Sequence, residues 1–368
     1  MELQTLGWNP LFESRFSSLE SPGLIPARVA QEHRELYLVF SEVGELSAEV
    51  SGRFRHQAGS RADFPSVGDW VAVTARPEEG QATIHAVLPR KSSFSRKAVL
   101  GGGSKDGPGK TDEQVLAANV DTVFLVTGLD GNFSLRRMER YIAAAWDSGA
   151  KPVIILNKAD LCGNLEERTS ETETIAVGVP IHAVSAVEQI GLEVLHDYLG
   201  VGRTVAFLGS SGVGKSTLIN ALLGEERQKI NPVREFDDKG RHTTTHREMI
   251  LLPSGGIVID TPGLREIQLW GDESALTRAF EDIEELASRC RFVDCRHGGE
   301  PGCSVQEAVR DGRLSPQRLD SYIRLLKEQK HLQMRKNLVM RRSTERARDR
   351  RYKNHKKMLD DLRRKGLR

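Results

Sequence analysis

The sequence predicts a multidomain chain: a small N-terminal β-barrel, a central α/β domain built on a mostly parallel sheet, and a C-terminal helical module that continues into a basic helical tail. Three observations predict it. Short apolar runs broken by turns fill residues 24–95. From Asp121 onward, apolar strand-like runs alternate with amphipathic helical stretches. Beyond about Ser274 no strand pattern remains, and positive charge accumulates toward the end.

The 368 residues, with 38% hydrophobic and 28% charged side chains, fit a water-soluble protein of two or three domains. No window approaches the ~18 apolar residues of a membrane span. Met1–Pro10 has one acid, no base and no long apolar core, unlike a secretory leader. A cytoplasmic protein with no membrane partner is therefore expected. Four cysteines are too few for a disulfide scaffold. The net charge of +2 hides an asymmetry: residues 324–368 carry 18 Lys and Arg against five Asp and Glu, whereas residues 1–323 carry 35 against 46. A tail of +13 on a body of −11 points to a polyanionic partner, nucleic acid in particular, met at the C-terminal end. The tail's apolar residues make no clean broad face, which disfavours a membrane-surface helix.

The expected divisions are an N-terminal extension (1–23), the barrel (24–95), a linker or flexible loop (96–120), the α/β domain (121–272), a helical module (273–323) and the basic tail (324–368). In the barrel, Glu35–Phe40, Ser47–Val50, Trp70–Thr74 and Ala82–Val87 read as strands, and Phe64–Val71 as a turn feeding one. Several strands in so short a stretch suggest an OB-fold. The Gly-rich run Gly101–Thr111 ends like a phosphate loop, but Ser104 stands where the first glycine is needed and no apolar strand leads in, so it reads as linker. In the α/β domain the strands are Thr122–Thr127, Pro152–Leu156, Pro180–Val184, Thr204–Leu208 and Gly256–Asp260, with helices Leu135–Trp146, Leu192–Leu199 and Lys215–Leu223.

Gly209-Ser210-Ser211-Gly212-Val213-Gly214-Lys215-Ser216-Thr217 fits G-x-x-x-x-G-K-S/T between a strand and a helix. Glycines let backbone N–H groups fold around phosphate oxygens at the positive end of the helix. Lys215 is expected on the β- and γ-phosphates and Ser216 on Mg²⁺. Asn157-Lys158-Ala159-Asp160 directly follows a strand. Guanine presents N1–H and N2–H₂ as adjacent donors, which one carboxylate accepts together; adenine would leave Asp160 unpaired. Asn157 is expected to brace the loop and Lys158 to lie over the base. Ser185-Ala186, after the next strand, suits a third contact near guanine O6. Asp260-Thr261-Pro262-Gly263 puts a carboxylate at a strand end for Mg²⁺ and a Gly263 N–H for the γ-phosphate. In Arg241–His246, one of Thr243, Thr244 and Thr245 completes the Mg²⁺ shell, with Thr244 favoured. Leu264 stands where Ras-like GTPases carry a water-orienting glutamine. His242 is the first candidate for that catalytic role and His246 the second; otherwise a partner supplies it.

Cys290, Cys295, His297 and Cys303 have the form C-x4-C-x-H-x5-C, a donor set that closes a structural tetrahedral Zn²⁺ site and makes 273–323 a zinc-binding module. Cys162 stands apart as a packing residue.

These pieces together resemble the circularly permuted GTPase family of small-subunit-dependent GTPases, RsgA or YjeQ. The order here is base motif at 157, Ser-Ala at 185, phosphate loop at 209, threonines at 243 and D-T-P-G at 260, whereas Ras-like chains begin with the phosphate loop. The apolar Leu264, the H-T-T-T run His242–Thr245 and the ligand set Cys290, Cys295, His297 and Cys303 also match the family. The resemblance covers nearly the whole chain; the long basic tail is the main departure. It implies a monomer that hydrolyses GTP to GDP with Mg²⁺, holds one structural Zn²⁺, and binds the small (30S-type) ribosomal subunit and its 16S-type rRNA during late maturation, with hydrolysis stimulated by the subunit. The alternative is a nucleotide-gated RNA-binding scaffold in which hydrolysis is incidental.

Overall fold

The computed structural model describes residues 1–19, 21–33, 36–99, 111–224, 247–260, 273–331 and 334. The barrel is formed by β1 (Ile25–His33), β2 (Leu36–Ser41), β3 (Gly44–Val50), β4 (Trp70–Arg76) and β5 (Gln81–Val87). Along β3, Leu46, Ala48 and Val50 are buried while Glu45, Ser47 and Glu49 are exposed, the period-2 pattern of a strand with one face on a core. The strand order is β1-β2-β3-β5-β4, and β4 pairs back onto β1, closing the barrel. The β3–β5 pairing is parallel and the rest are antiparallel, as in an OB-fold. Irregularities between Val29 and Gln31 and between Ala72 and Val73 supply the curvature that closure needs.

The N-terminal extension packs on the barrel. Its helix Pro10–Ser17 starts at Asn9, whose side chain accepts the Leu11 and Phe12 N–H groups, with Pro10 at the first helical position. Trp8 and Phe12 pack on the buried Trp70 of the barrel at centroid distances of 4.7 and 5.9 Å.

The expected linker 96–120 differs at both ends. β6 (Ser93–Val99) and β7 (Thr111–Ala118) form an antiparallel ribbon, and Val115–Ala118 are buried. The Ala118 N–H donates to Val67 O and the Ser66 hydroxyl to Val115 O, so β7 is held on the barrel. Its first half, Thr-Asp-Glu-Gln, is polar, which is why it read as linker. The Gly-rich residues 101–110 lie outside the described residues.

The α/β domain has β8 (Thr122–Gly128), β9 (Lys151–Asn157), β10 (Ile181–Ala183), β11 (Thr204–Leu208), β12 (Glu248–Leu251) and β13 (Ile257–Asp260). Their order is β10-β9-β8-β11-β13-β12, parallel except for β12. Every residue of β8 and β11 is buried, as befits strands covered by helices on both faces. β12 escaped the sequence reading because it is a four-residue edge strand. The expected helix Leu192–Leu199 is a single turn, Glu193–His196. One pairing, Gln31 with Glu248, joins the barrel's β1 to β12 and makes the whole an 11-stranded sheet.

Barrel and α/β domain also share a buried hub at Arg28 on β1. Its guanidinium donates to the carbonyls of Leu6 and Gly68 and to Thr204 Oγ1 of β11 (2.9 Å), and lies over the Trp70 ring. Burial lowers its pKa to about 10, against the pull of Asp121 and Asp69. At the other end, a helix at 316–331 packs with helices Glu273–Ala279, Glu281–Ala287 and Ser304–Arg310 against the α/β helix Leu135–Ser148.

Candidate nucleotide site and metal centre

β11 lies between β8, earlier in the chain, and β13, later in it, so the loop at its C-terminal end opens where neighbouring connections diverge. That crevice is where open α/β sheets bind ligands. The glycines there are dictated by space: a Cβ on Gly209 would lie 2.4 Å from the Val126 carbonyl of β8. Gly214, at φ 95°, would bring a Cβ within 2.2 Å of Asn157 Nδ2. The helix Lys215–Leu223 begins directly after Gly214, so its first-turn N–H groups face the loop. Lys215 Nζ curls back to donate to Gly209 O (2.8 Å) and Ser210 O (2.7 Å). Ser210, Ser211 and Gly212 are accessible, while Val213 is buried and anchors the loop to the core.

Asn157, at the end of β9, is 2% exposed and joins three loops with one amide. Its Nδ2 donates to Val213 O of the phosphate loop (2.8 Å), and its Oδ1 accepts the Ala186 N–H (3.1 Å). The predicted base motif, Ser-Ala pair and phosphate loop are thus drawn to one cleft. Lys158 takes φ 63°, a left-handed conformation that costs a non-glycine residue of order 1 kcal/mol. Its ammonium donates to Asp130 Oδ2 at 2.6 Å. Asp160 is exposed, and its carboxylate accepts the hydroxyl of the fully buried Ser185. Ala159 N–H donates to Val184 O, tying the base motif to the strand end before Ser185.

Two residues at this cleft were not foreseen. Asp130 follows β8, and its other oxygen, Oδ1, accepts the Asn132 N–H at 2.9 Å. Burial alone would raise its pKa, but the bonds from Lys158 and Asn132 outweigh this and hold the carboxyl below its ordinary value. Arg137, on the helix Leu135–Ser148, donates to Ser210 Oγ at 3.0 Å. The pair Asp130-Gly131 reads as an ordinary turn, and no spacing rule links it to Lys158.

Asp260 ends β13, one residue beyond the Ala206–Ile259 pairing with β11, which sets its half-buried carboxylate at the same edge of the sheet as the phosphate loop. A hydroxyl at Ser216 and a carboxylate at Asp260 are the hard oxygen donors that suit Mg²⁺. His242, Thr243, Thr244, Thr245, His246, Thr261, Pro262, Gly263 and Leu264 lie outside the described residues.

In the C-terminal module, the donor atoms of Cys290, Cys295, His297 and Cys303 all lie within 4.8 Å of one another. Cys290 Sγ is 3.9 Å from Cys303 Sγ, and His297 Nδ1 is 3.7 and 3.5 Å from those two sulfurs. A tetrahedron with Zn–S bonds of ~2.3 Å has edges of about 3.8 Å, so these separations fit the ion. A disulfide would need ~2.05 Å. His297 is buried, which lowers its pKa and favours the neutral ligating form. Its carbonyl accepts Gln306 Nε2, fixing the loop from behind.

The geometry has counterparts among known proteins. The family model described as RsgA GTPase matches residues 87–270. A protein of Opitutus terrae named small ribosomal subunit biogenesis GTPase RsgA is 49% identical over 352 residues, which is 93% of this chain and 94% of the relative. The chain belongs to the RsgA GTPase family. A second RsgA, from Syntrophotalea carbinolica, is 44% identical over 88% of both chains. The crystal structure of YjeQ from Thermotoga maritima superposes with a TM-score of 0.61 at 29% identity, over 83% of this chain and 98% of that one. YloQ, described as a circularly permuted GTPase, shares the fold with a TM-score of 0.59 at 24% identity, over 84% and 96%. An ABC transporter model also matches residues 192–359, a span that holds the phosphate loop but not the base motif at Asn157–Asp160. Among the described residues no helix is long and apolar enough to cross a membrane. As a member of the RsgA GTPase family, the chain is a circularly permuted P-loop GTP hydrolase.

Proposed function

We propose that this chain hydrolyses GTP to GDP in the cytoplasm while bound, as a monomer, to the small ribosomal subunit and its rRNA during late maturation, and that the subunit stimulates the reaction. The observation that carries the nucleotide part is the Asn157 clasp, which draws the base motif and phosphate loop into one cleft. The ribosomal part is supported by the names of relatives at 44–49% identity and by the +13 tail. Asp160 reads the guanine edge, Lys158 covers the base, and the Ser185-Ala186 pair supplies the third contact near O6. The phosphate-loop N–H groups and Lys215 hold the β- and γ-phosphates, and Ser216, Thr244 and Asp260 share Mg²⁺. Mg²⁺ would neutralise charge on the transferring phosphoryl group. Cys290, Cys295, His297 and Cys303 hold one structural Zn²⁺. His242 is the proposed water-positioning residue; with Leu264 in place of a glutamine, turnover is slow until the subunit completes the site.

The test is GTP turnover with and without purified small subunits across a salt series. Stimulation that weakens as salt rises is expected, because the basic tail meets phosphate. Turnover indifferent to added subunits would sink the ribosomal part of the proposal.

A further inference from the structure

We propose that Asp130 is a positioning residue for guanine-nucleotide binding: it anchors the Lys158 ammonium so that the lysine stem is already laid out where the purine must stack. The proposal rests on reading Asn157–Asp160 as the base loop.

The two carboxylate oxygens of Asp130 have separate duties. Oδ1 accepts the Asn132 N–H and closes the turn after β8; Oδ2 accepts Lys158 Nζ at 2.6 Å. Neither side chain floats on the surface: Lys158 is 18% exposed and Asp130 25%. Lys158 is held at both ends, its backbone in the left-handed region at φ 63° and its ammonium on Asp130. The rest of the base loop is tied likewise, Asn157 to Val213 and Ala186, and Asp160 to Ser185. Without Asp130, the Lys158 ammonium would lose this tether.

A lysine carries four rotatable carbons, and ordering them on a ligand costs rotamer entropy at the moment of binding. An anchor that orders them beforehand improves affinity without adding a contact to the ligand. The base is unchanged between GTP and its transition state. Loss of the anchor therefore weakens substrate and transition state equally, which raises KM and leaves kcat alone.

The separate duties of the two oxygens provide the test. In Asp130→Asn the side-chain carbonyl can still close the turn, but the amide group facing Lys158 is a donor and the charge is gone. Binding of GDP and a non-hydrolysable GTP analogue to the full chain would be measured by calorimetry for the parent, D130N, K158A and the double variant. D130N should loosen both nucleotides by roughly tenfold, with KM rising in step, kcat unchanged and the thermal midpoint unmoved. The double variant should bind no more weakly than K158A alone. D130N binding GDP as tightly as the parent, or losses that simply add in the double variant, would overturn the proposal. D160N, measured alongside, separates the two levels: if it too leaves GDP affinity intact, the base-loop reading itself has failed. If D160N loses guanine while D130N does not, only the role of Asp130 is wrong.

Discussion

At the scale of single residues, base choice comes down to which hydrogen-bonding groups the cleft offers. The Asp160 carboxylate has only acceptors, and guanine's edge offers two donors to it. Xanthine replaces the 2-amino group by a carbonyl, so an amide at 160 would pair with it. Asp160→Asn is expected to weaken GTP binding by about a hundredfold or more and to improve binding of xanthosine triphosphate, measured by competition against labelled GDP. Unchanged preference for guanine would contradict the role given to Asp160. Residues such as Asn157 and Asp160 were legible because their chemistry is packed into four consecutive positions. Asp130 and Arg137 were not, because each acts on a residue distant in sequence (Lys158 and Ser210), and only the sheet brings them near.

At the scale of elements, the chain that carries the four candidate zinc donors is mostly irregular and lies between the short helices Glu281–Ala287 and Ser304–Arg310. Such a unit depends on its ion, since binding energy there is folding energy. One equivalent of zinc per chain is expected by elemental analysis, and Cys303→Ser should lose it together with several degrees of thermal midpoint. Zinc content unchanged in C303S would rule the site out. The acid response has a definite sign. Burial holds the folded His297 below its ordinary value of 6.5, so between those values the unfolded chain binds more protons. Its contribution is fully present above pH 6.5 and is lost as pH falls through the depressed value, in the same direction as metal release. A midpoint that rises on acidification from pH 7 would contradict this. The cysteine spacing made the centre legible. The ribbon β6–β7 was hidden, because polar residues at the start of β7 mask a strand whose buried half begins only at Val115.

At the scale of the whole molecule, the two ends of the chain grip the α/β domain through buried arginines. Arg28 does so from the barrel. From the C-terminal side, Arg318 donates to Asp282 at 2.6 and 2.7 Å, to Glu139 at 3.2 Å and to the Ala279 carbonyl, with its own side chain 4% exposed and that of Glu139 3%. Arg136–Asp320 and Arg140–Glu328 extend the same seam at the surface, where ion pairs contribute little. Removing one partner of the buried pair leaves a charge stranded, so Arg318→Ala should cost about 3–5 kcal/mol in denaturant unfolding. Arg318→Met paired with Glu139→Gln should recover much of that loss. An R318A chain as stable as the parent would show that the seam is not structural. No sequence pattern announces these hubs, since an isolated arginine reads as surface. The rotated strand order has a further consequence, in the order of synthesis. A ribosome makes this chain from the N-terminus, so β8, β9 and β10 emerge with the base-reading loop while β11, which belongs on the other side of β8, has not been made. β11 must then enter between β8 and a β13 still to come, and until then Arg28 lacks the Thr204 hydroxyl that accepts its hydrogen bond. A nascent chain stopped before Gly209 would carry a pocket for the base and nothing to hold the phosphates. The nucleotide can therefore first serve as a ligand for folding only when translation has passed the phosphate loop Gly209–Thr217.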